Sequence, residues 1–127
     1  MITTKEFLEL LAGSSSAGIV DEWDNLHASE PILRKNAARI LHMYLLKVLK
    51  EPDGSEQGPS WKLVKDIYDC RVCANHIAQV VDKGIMEPHR YSEDFTVFEG
   101  NGTMERAEAE ACVKRLFDEK LRLRPCN

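Results

Sequence analysis

Several things are missing from this chain together. Its 127 residues hold no long apolar run, no surplus of basic charge and no glycine loop spaced to cradle a phosphate. The first absence excludes a membrane-spanning helix. The opening MITTKEFLELLAGSSSAGIV also lacks the apolar core of a signal peptide. The charges are interspersed, 17 basic against 21 acidic for a net of -4, so no field exists to recruit nucleic acid or anionic lipid. Four cysteines are too few for a disulfide scaffold in a chain long enough to build its own core, and reduced thiols are the expectation. With Met1 as the native start, the chain reads as cytoplasmic; if Met1 caps a mature fragment, that localisation lapses.

What is present is helical period. TTKEFLEL opens a short helix, with Thr3 and Glu6 at capping-box spacing. SEPILRKNAARILHMYLLKVLK sets Leu33, Ala37, Ile40, Leu41, Tyr44, Leu45, Val48 and Leu49 on one face, with Pro31 suited to its first turn. EPDGSEQGPS, residues 51–60, is a linker by composition. A further helix spans about Cys70 to Lys83, its stripe made of Val72, Cys73, Ile77, Val80 and Val81, with Gly84 at the C-cap position. An aromatic-bearing loop follows, with a brief extended segment at Phe95 to Phe98 but no visible strand partner. The last helix shows Ala109, Cys112, Val113, Leu116, Phe117 and Leu121 on one face.

The two halves repeat. With Arg34 placed over Arg106, residues Ala37, Ile40, Leu41, Tyr44, Leu45 and Leu49 fall on Ala109, Cys112, Val113, Leu116, Phe117 and Leu121, and Gly18-Ile19 matches Gly84-Ile85. The expected fold class is therefore all-α, a single domain over residues 1–127. It would consist of two helix-loop-helix repeats, at 3–50 and 61–124, packed as a small helical bundle.

The second half resembles the S-layer homology family, the wall-anchoring module of bacterial surface proteins. Asp66-Ile67, Ile77, Gly84-Ile85-Met86, Phe98, Asn101-Gly102-Thr103 and Glu105-Arg106-Ala107-Glu108 keep the family's order and nearly all its spacings from Val64 to about Leu121. The first half matches through Gly18, Ile19 and LRKNAA. Two positions depart: Val72 replaces the usual aromatic, and Glu105 the motif threonine, leaving Thr103 to cap the helix. The resemblance implies binding of secondary cell-wall polysaccharide, often pyruvylated, in grooves between repeats. Carried over, Arg106 would grip the anionic sugar, with Arg34 its weaker counterpart and Glu108 beside it. Gly84 and Ile85 would shape the groove, and Asp66 would stand at its mouth. A guanidinium fork near helix N–H groups suits a carboxylate. Against this stand plainer readings: Arg106 pairing with a carboxylate such as Asp66 or Glu108, Gly84 acting only as a C-cap, and Tyr91, Phe95 and Phe98 closing over a core edge.

Catalysis finds no set of residues. His27, His42, His76 and His89 are scattered, and no serine or cysteine has an evident base. CRVCANH offers Cys70, Cys73 and His76, but the spacing lies within a helix and lacks a second ligand pair, and no strand precedes it as thioredoxin-like chemistry requires. Cys73 then reads as core, and no metal or cofactor is expected. Two functions remain: a non-enzymatic carbohydrate-binding module, placed at the cell wall if the chain is a mature fragment, or an intracellular helical interaction or oligomerisation domain. The partners are accordingly a wall polysaccharide, a protein, or further copies of the chain.

Overall fold

The computed structural model describes residues 1–11, 19–54 and 58–123. Gly18, the middle of the linker and Cys126 lie outside the described residues. Helix α1, Thr4–Leu10, starts where Thr3 accepts the Glu6 N–H and the Glu6 carboxylate accepts the Thr3 N–H, at 3.2 and 3.0 Å. Asp21 and Asp24 build the same reciprocal cap for α2, Glu22–Leu26. Then come α3, Arg34–Lys47, and α4, Ser60–Leu63, and a 3₁₀ turn, Ile67–Asp69. Helix α5, Arg71–Asp82, strands β1, His89–Ser92, and β2, Phe95–Val97, helix α6, Arg106–Phe117, and a last 3₁₀ turn, Glu119–Leu121, complete the order.

The all-α expectation is corrected here, because the fold is mixed. β1 and β2 pair antiparallel across the two-residue turn Glu93-Asp94, with His89 opposite Val97, Arg90 opposite Thr96, and a register shift before Ser92 meets Phe95. The segment taken as unpaired thus has a partner just upstream. Both strands are short and largely exposed, so their alternation is too weak to stand out against a polar loop. Pro31 is also displaced from the expected first helical turn: it bridges Thr3, and α3 begins after Leu33. Thr103 does not cap α6. An antiparallel bridge to Leu33 holds it two residues before the Glu105 N-cap, and its hydroxyl donates to the Met1 sulfur.

The starts of α3 and α6 are laced together by backbone. The Arg34 N–H donates to Gly102 and the Lys35 N–H to Gly100, at 2.8 and 2.9 Å, while Ile2 links Ile32 to Met104. A parallel bridge from Val64 to Thr96 ties the α4 segment to the hairpin. One apolar cluster draws on both halves, from Ile2 and Phe7 through Ile40, Leu41 and Leu45 to Ile77, Val81, Ile85, Met104 and Leu116. Its continuity makes α3, packed against α5, the central helix. Val72, expected on the apolar stripe of α5, is instead 85% exposed. Among the described residues, no helix is long and apolar enough to cross a membrane.

The expectation of reduced thiols is corrected as well. Cys70 and Cys73 form a disulfide with Cα atoms 5.2 Å apart, while Cys112 is free and buried. The pair does not lie inside a helix. Cys70 is the N-cap of α5 and Cys73 its third residue, so the first helical turn itself brings their Cα atoms within disulfide reach.

Candidate functional site

The two motif arginines have opposite environments. Arg34, at the start of α3, is 1% exposed. Its Nε donates to the Phe98 carbonyl and its Nη2 to the Glu87 carbonyl, both at 2.8 Å; Nη1 pairs with Glu108, and the guanidinium lies 4.7 Å from the Phe98 ring centroid. This is an internal knot joining α3, the segments flanking the β hairpin and α6; three of the five guanidinium N–H donors are bound within it, and burial keeps the group from solvent. Arg106 sits on the surface, its Nε donating to Glu110 at 3.1 Å and its Nη1 lying 3.5 Å from Glu6. Its carboxylate partners are thus Glu110 and Glu6 rather than Asp66 or Glu108. The Glu6 carboxyl is held below its ordinary range, first by the Thr3 backbone N–H and hydroxyl and then by the Arg106 charge.

The other expected site residues are spread through the scaffold. Asp66 accepts the N–H groups of Phe98 and Glu99 at 2.7 and 2.8 Å, and so steadies a turn in which Glu99 takes a φ of 60°. Gly84 has a φ of 75°, and a Cβ there would lie 1.8 Å from the Leu123 carbonyl oxygen. It is a left-handed cap with another strand of backbone against it. Ile85 is buried in the core, and Phe98 lies beneath Arg34. Tyr91 and Phe95 are exposed on the hairpin, their ring centroids 6.0 Å apart. Tyr91 donates to Glu99, which also takes His89; this raises the Tyr91 phenol and lowers the Glu99 carboxyl.

A concavity opens beside α5. This groove, of about 650 Å³, is lined by Asp53, Gly54, Gly58, Trp61, Lys62, Tyr68, Asn75 and Gln79. Trp61 is half-buried against the core cluster and meets Tyr68 at 5.6 Å between ring centroids, so one wall is an anchored aromatic pair. The opposite wall is polar. Asn75 and Gln79, one turn apart on α5, are joined at 3.3 Å; Gln79 accepts the Gly54 N–H at 2.9 Å, and Asn75 reaches Asp53 at 3.4 Å. Among the described residues, the groove is lined by one carboxylate, Asp53, and one ammonium, Lys62, and by no arginine.

Behind Asp53 runs a buried relay. Its carboxylate accepts from His42 Nε2 at 2.6 Å, and His42 Nδ1 faces His76 Nδ1 at 2.8 Å across the α3–α5 contact. One hydrogen satisfies that nitrogen pair. Burial depresses the His76 imidazole to about 4, helped by the charges of His42 and Arg39. At Asp53, partial burial pushes the carboxyl up, but the His42 and Asn75 hydrogen bonds and the His42 charge outweigh it and hold the group below its ordinary range. Among the described residues, no three His, Cys, Asp or Glu side chains converge as a metal would need.

Compared with family models, curated proteins and solved structures, the chain matches none. The groove was missed by sequence reasoning because its aromatics fall in the four-residue helix α4 and a 3₁₀ turn, outside any periodic stripe. The available signal was the i, i+4 amide pair Asn75 and Gln79 on α5.

Proposed function

We propose that the chain is a non-catalytic binding module whose ligand face is the groove between Trp61 and Gln79, and that it takes a saccharide. The observation that carries this reading is the pairing of an anchored aromatic wall with an ordered row of amides and a carboxylate facing the same space. Sugar rings present C–H faces that lie against aromatic rings, and hydroxyls that exchange hydrogen bonds with amides and carboxylates. The resemblance to wall-anchoring modules points to the same ligand class. The groove balances one ammonium, Lys62, against one carboxylate, Asp53, and among the described residues offers no guanidinium fork, which favours a neutral stretch of glycan over a pyruvylated one.

The test is co-sedimentation with sacculi that retain their polysaccharide, beside sacculi stripped of it, followed by titration with neutral and pyruvylated oligosaccharides. Polysaccharide-dependent binding should weaken at least tenfold in Tyr68→Ala, whose ring is 63% exposed and carries little of the core. Arg106→Ala should bind as the wild type does. Absence of binding by folded wild-type protein, or binding lost in Arg106→Ala but kept in Tyr68→Ala, overturns the reading.

A further inference from the structure

We propose that the Cys70–Cys73 disulfide is a redox-active centre that exchanges two electrons with dithiols, and that Cys70 carries the sulfur an incoming thiolate attacks. The inference is independent of the sugar reading and begins from position. A disulfide that serves as a staple stabilises more the longer the loop it closes, and this one joins cysteines only 3 residues apart, in a chain already held by a continuous core. Helix α5 does not depend on it for anchorage, because Ile77, Ala78, Val80 and Val81 are buried in that core. The bond can therefore open while the helix stays in place.

The two sulfurs have unequal surroundings. Cys70 lines a cavity of about 320 Å³, with Lys35, Asp66, Asp69, Phe98, Glu99 and Gly100 among its walls, whereas Cys73 packs against the core cluster. An incoming thiolate reaches Cys70 through that cavity, and Cys73 is then the leaving group. Cys73 stands in the first turn of a 12-residue helix, where the positive end of the helix dipole stabilises a departing thiolate. No side chain caps this helix start, so that field is not already neutralised by a hydrogen-bonded cap.

The exchange balances without any further reagent. One thiolate of the dithiol attacks Cys70 Sγ, the Cys70–Cys73 bond breaks, and Cys73 leaves as a thiolate and takes a proton. The second thiol of the partner, as thiolate, attacks the partner's own sulfur in the mixed disulfide. Cys70 is released, takes the second proton, and the partner departs as a disulfide. Two electrons have passed to the cysteine pair, and an oxidised partner reverses the sequence. The carboxylates of Asp66, Asp69 and Glu99 around the mouth favour a neutral or basic dithiol over an anionic one.

The experiment uses the full chain carrying Cys126→Ser, so that the remaining thiol is Cys112. Burial pushes Cys112 up to about 12 and leaves it unreactive. The protein is equilibrated across ratios of oxidised to reduced dithiothreitol, quenched with acid, alkylated and weighed. The expected result is a reversible two-thiol transition with an unchanged far-ultraviolet circular dichroism spectrum. A neutral monothiol in excess, quenched early with acid, should leave its mixed disulfide on Cys70 at least tenfold more often than on Cys73, read by mass after cleavage at Arg71. A pair that opens only with loss of helical signal overturns the proposal, as does one that stays oxidised at every ratio. Equal occupancy, or more adduct on Cys73, overturns the assignment of Cys70.

Discussion

Helices α3 and α6 carry the same pattern in matching register and live in different environments. Arg34, Ala38 and His42 on α3 are buried, whereas their counterparts Arg106, Glu110 and Lys114 on α6 are exposed. Three of the shared apolar positions behave alike, Ala37, Ile40 and Tyr44 being buried and so Ala109, Cys112 and Leu116; one residue further on they part, Leu45 being buried and Phe117 exposed. What separates the helices is a second neighbour. α5 lies along α3 on the side that bears His42, and the hairpin and α6 close over Arg34, while the corresponding side of α6 meets solvent. An amphipathic stripe therefore states which face meets the core first, and the remaining faces are decided by what packs later.

The comparison breaks most sharply at Arg34. Arg34→Ala should destabilise the protein by about 3 to 5 kcal/mol, since it removes one partner of a largely buried ion pair and leaves two carbonyls without their donor. The measurement is urea denaturation followed by circular dichroism. A loss below about 1 kcal/mol would mean that the knot is dispensable and that the two arginines are alike after all.

His42 and His76 give the second contrast, because α6 has exposed Lys114 where α3 has a buried histidine. The fold depresses His76 from 6.5 to about 4, so between those values the unfolded chain binds a proton that the folded chain refuses. Stability is therefore full above about pH 6.5 and falls as the pH drops towards 4. The loss should be about 1 to 2 kcal/mol once solvent access to the ring is allowed for. Denaturation midpoints measured from pH 7.5 to 4.5 should show this slope in the wild type and a shallower one in His76→Gln. Parallel curves would show that the ring titrates without hindrance.

How far the sequence carried depends on whether the signal was local. The capping box at Thr3 and Glu6, the apolar stripe of α3 and the left-handed Gly84 are legible because each is set within a few residues. The hairpin was not, since its strands are short, polar and joined by Glu93-Asp94 without the glycine that marks a tight turn. The disulfide was hidden by composition, because four cysteines in a chain able to build its own core gave no reason to pair any two of them. The roles of Arg34 and Glu108 rest on partners 74 residues apart, and the groove unites Asp53, Trp61, Tyr68 and Gln79 from four separate segments. Long-range meetings of that kind leave no periodic trace.

The smallest expected effect is at the residue the motif singled out. A cation in the first turn of α6 opposes the helix dipole, and Arg106 offsets this with two surface carboxylates, Glu110 one turn along and Glu6 on α1. Both partners are substantially exposed, so water and salt screen the pairs. Removing the side chain loses those weak attractions but also relieves the unfavourable dipole, and the two changes have opposite sign. Arg106→Ala should thus alter stability by less than about 0.5 kcal/mol, and the difference should shrink further at high salt. If instead it matched Arg34→Ala, the surface pairs would have to act as a buried knot does, and burial would no longer explain why two arginines at one register differ.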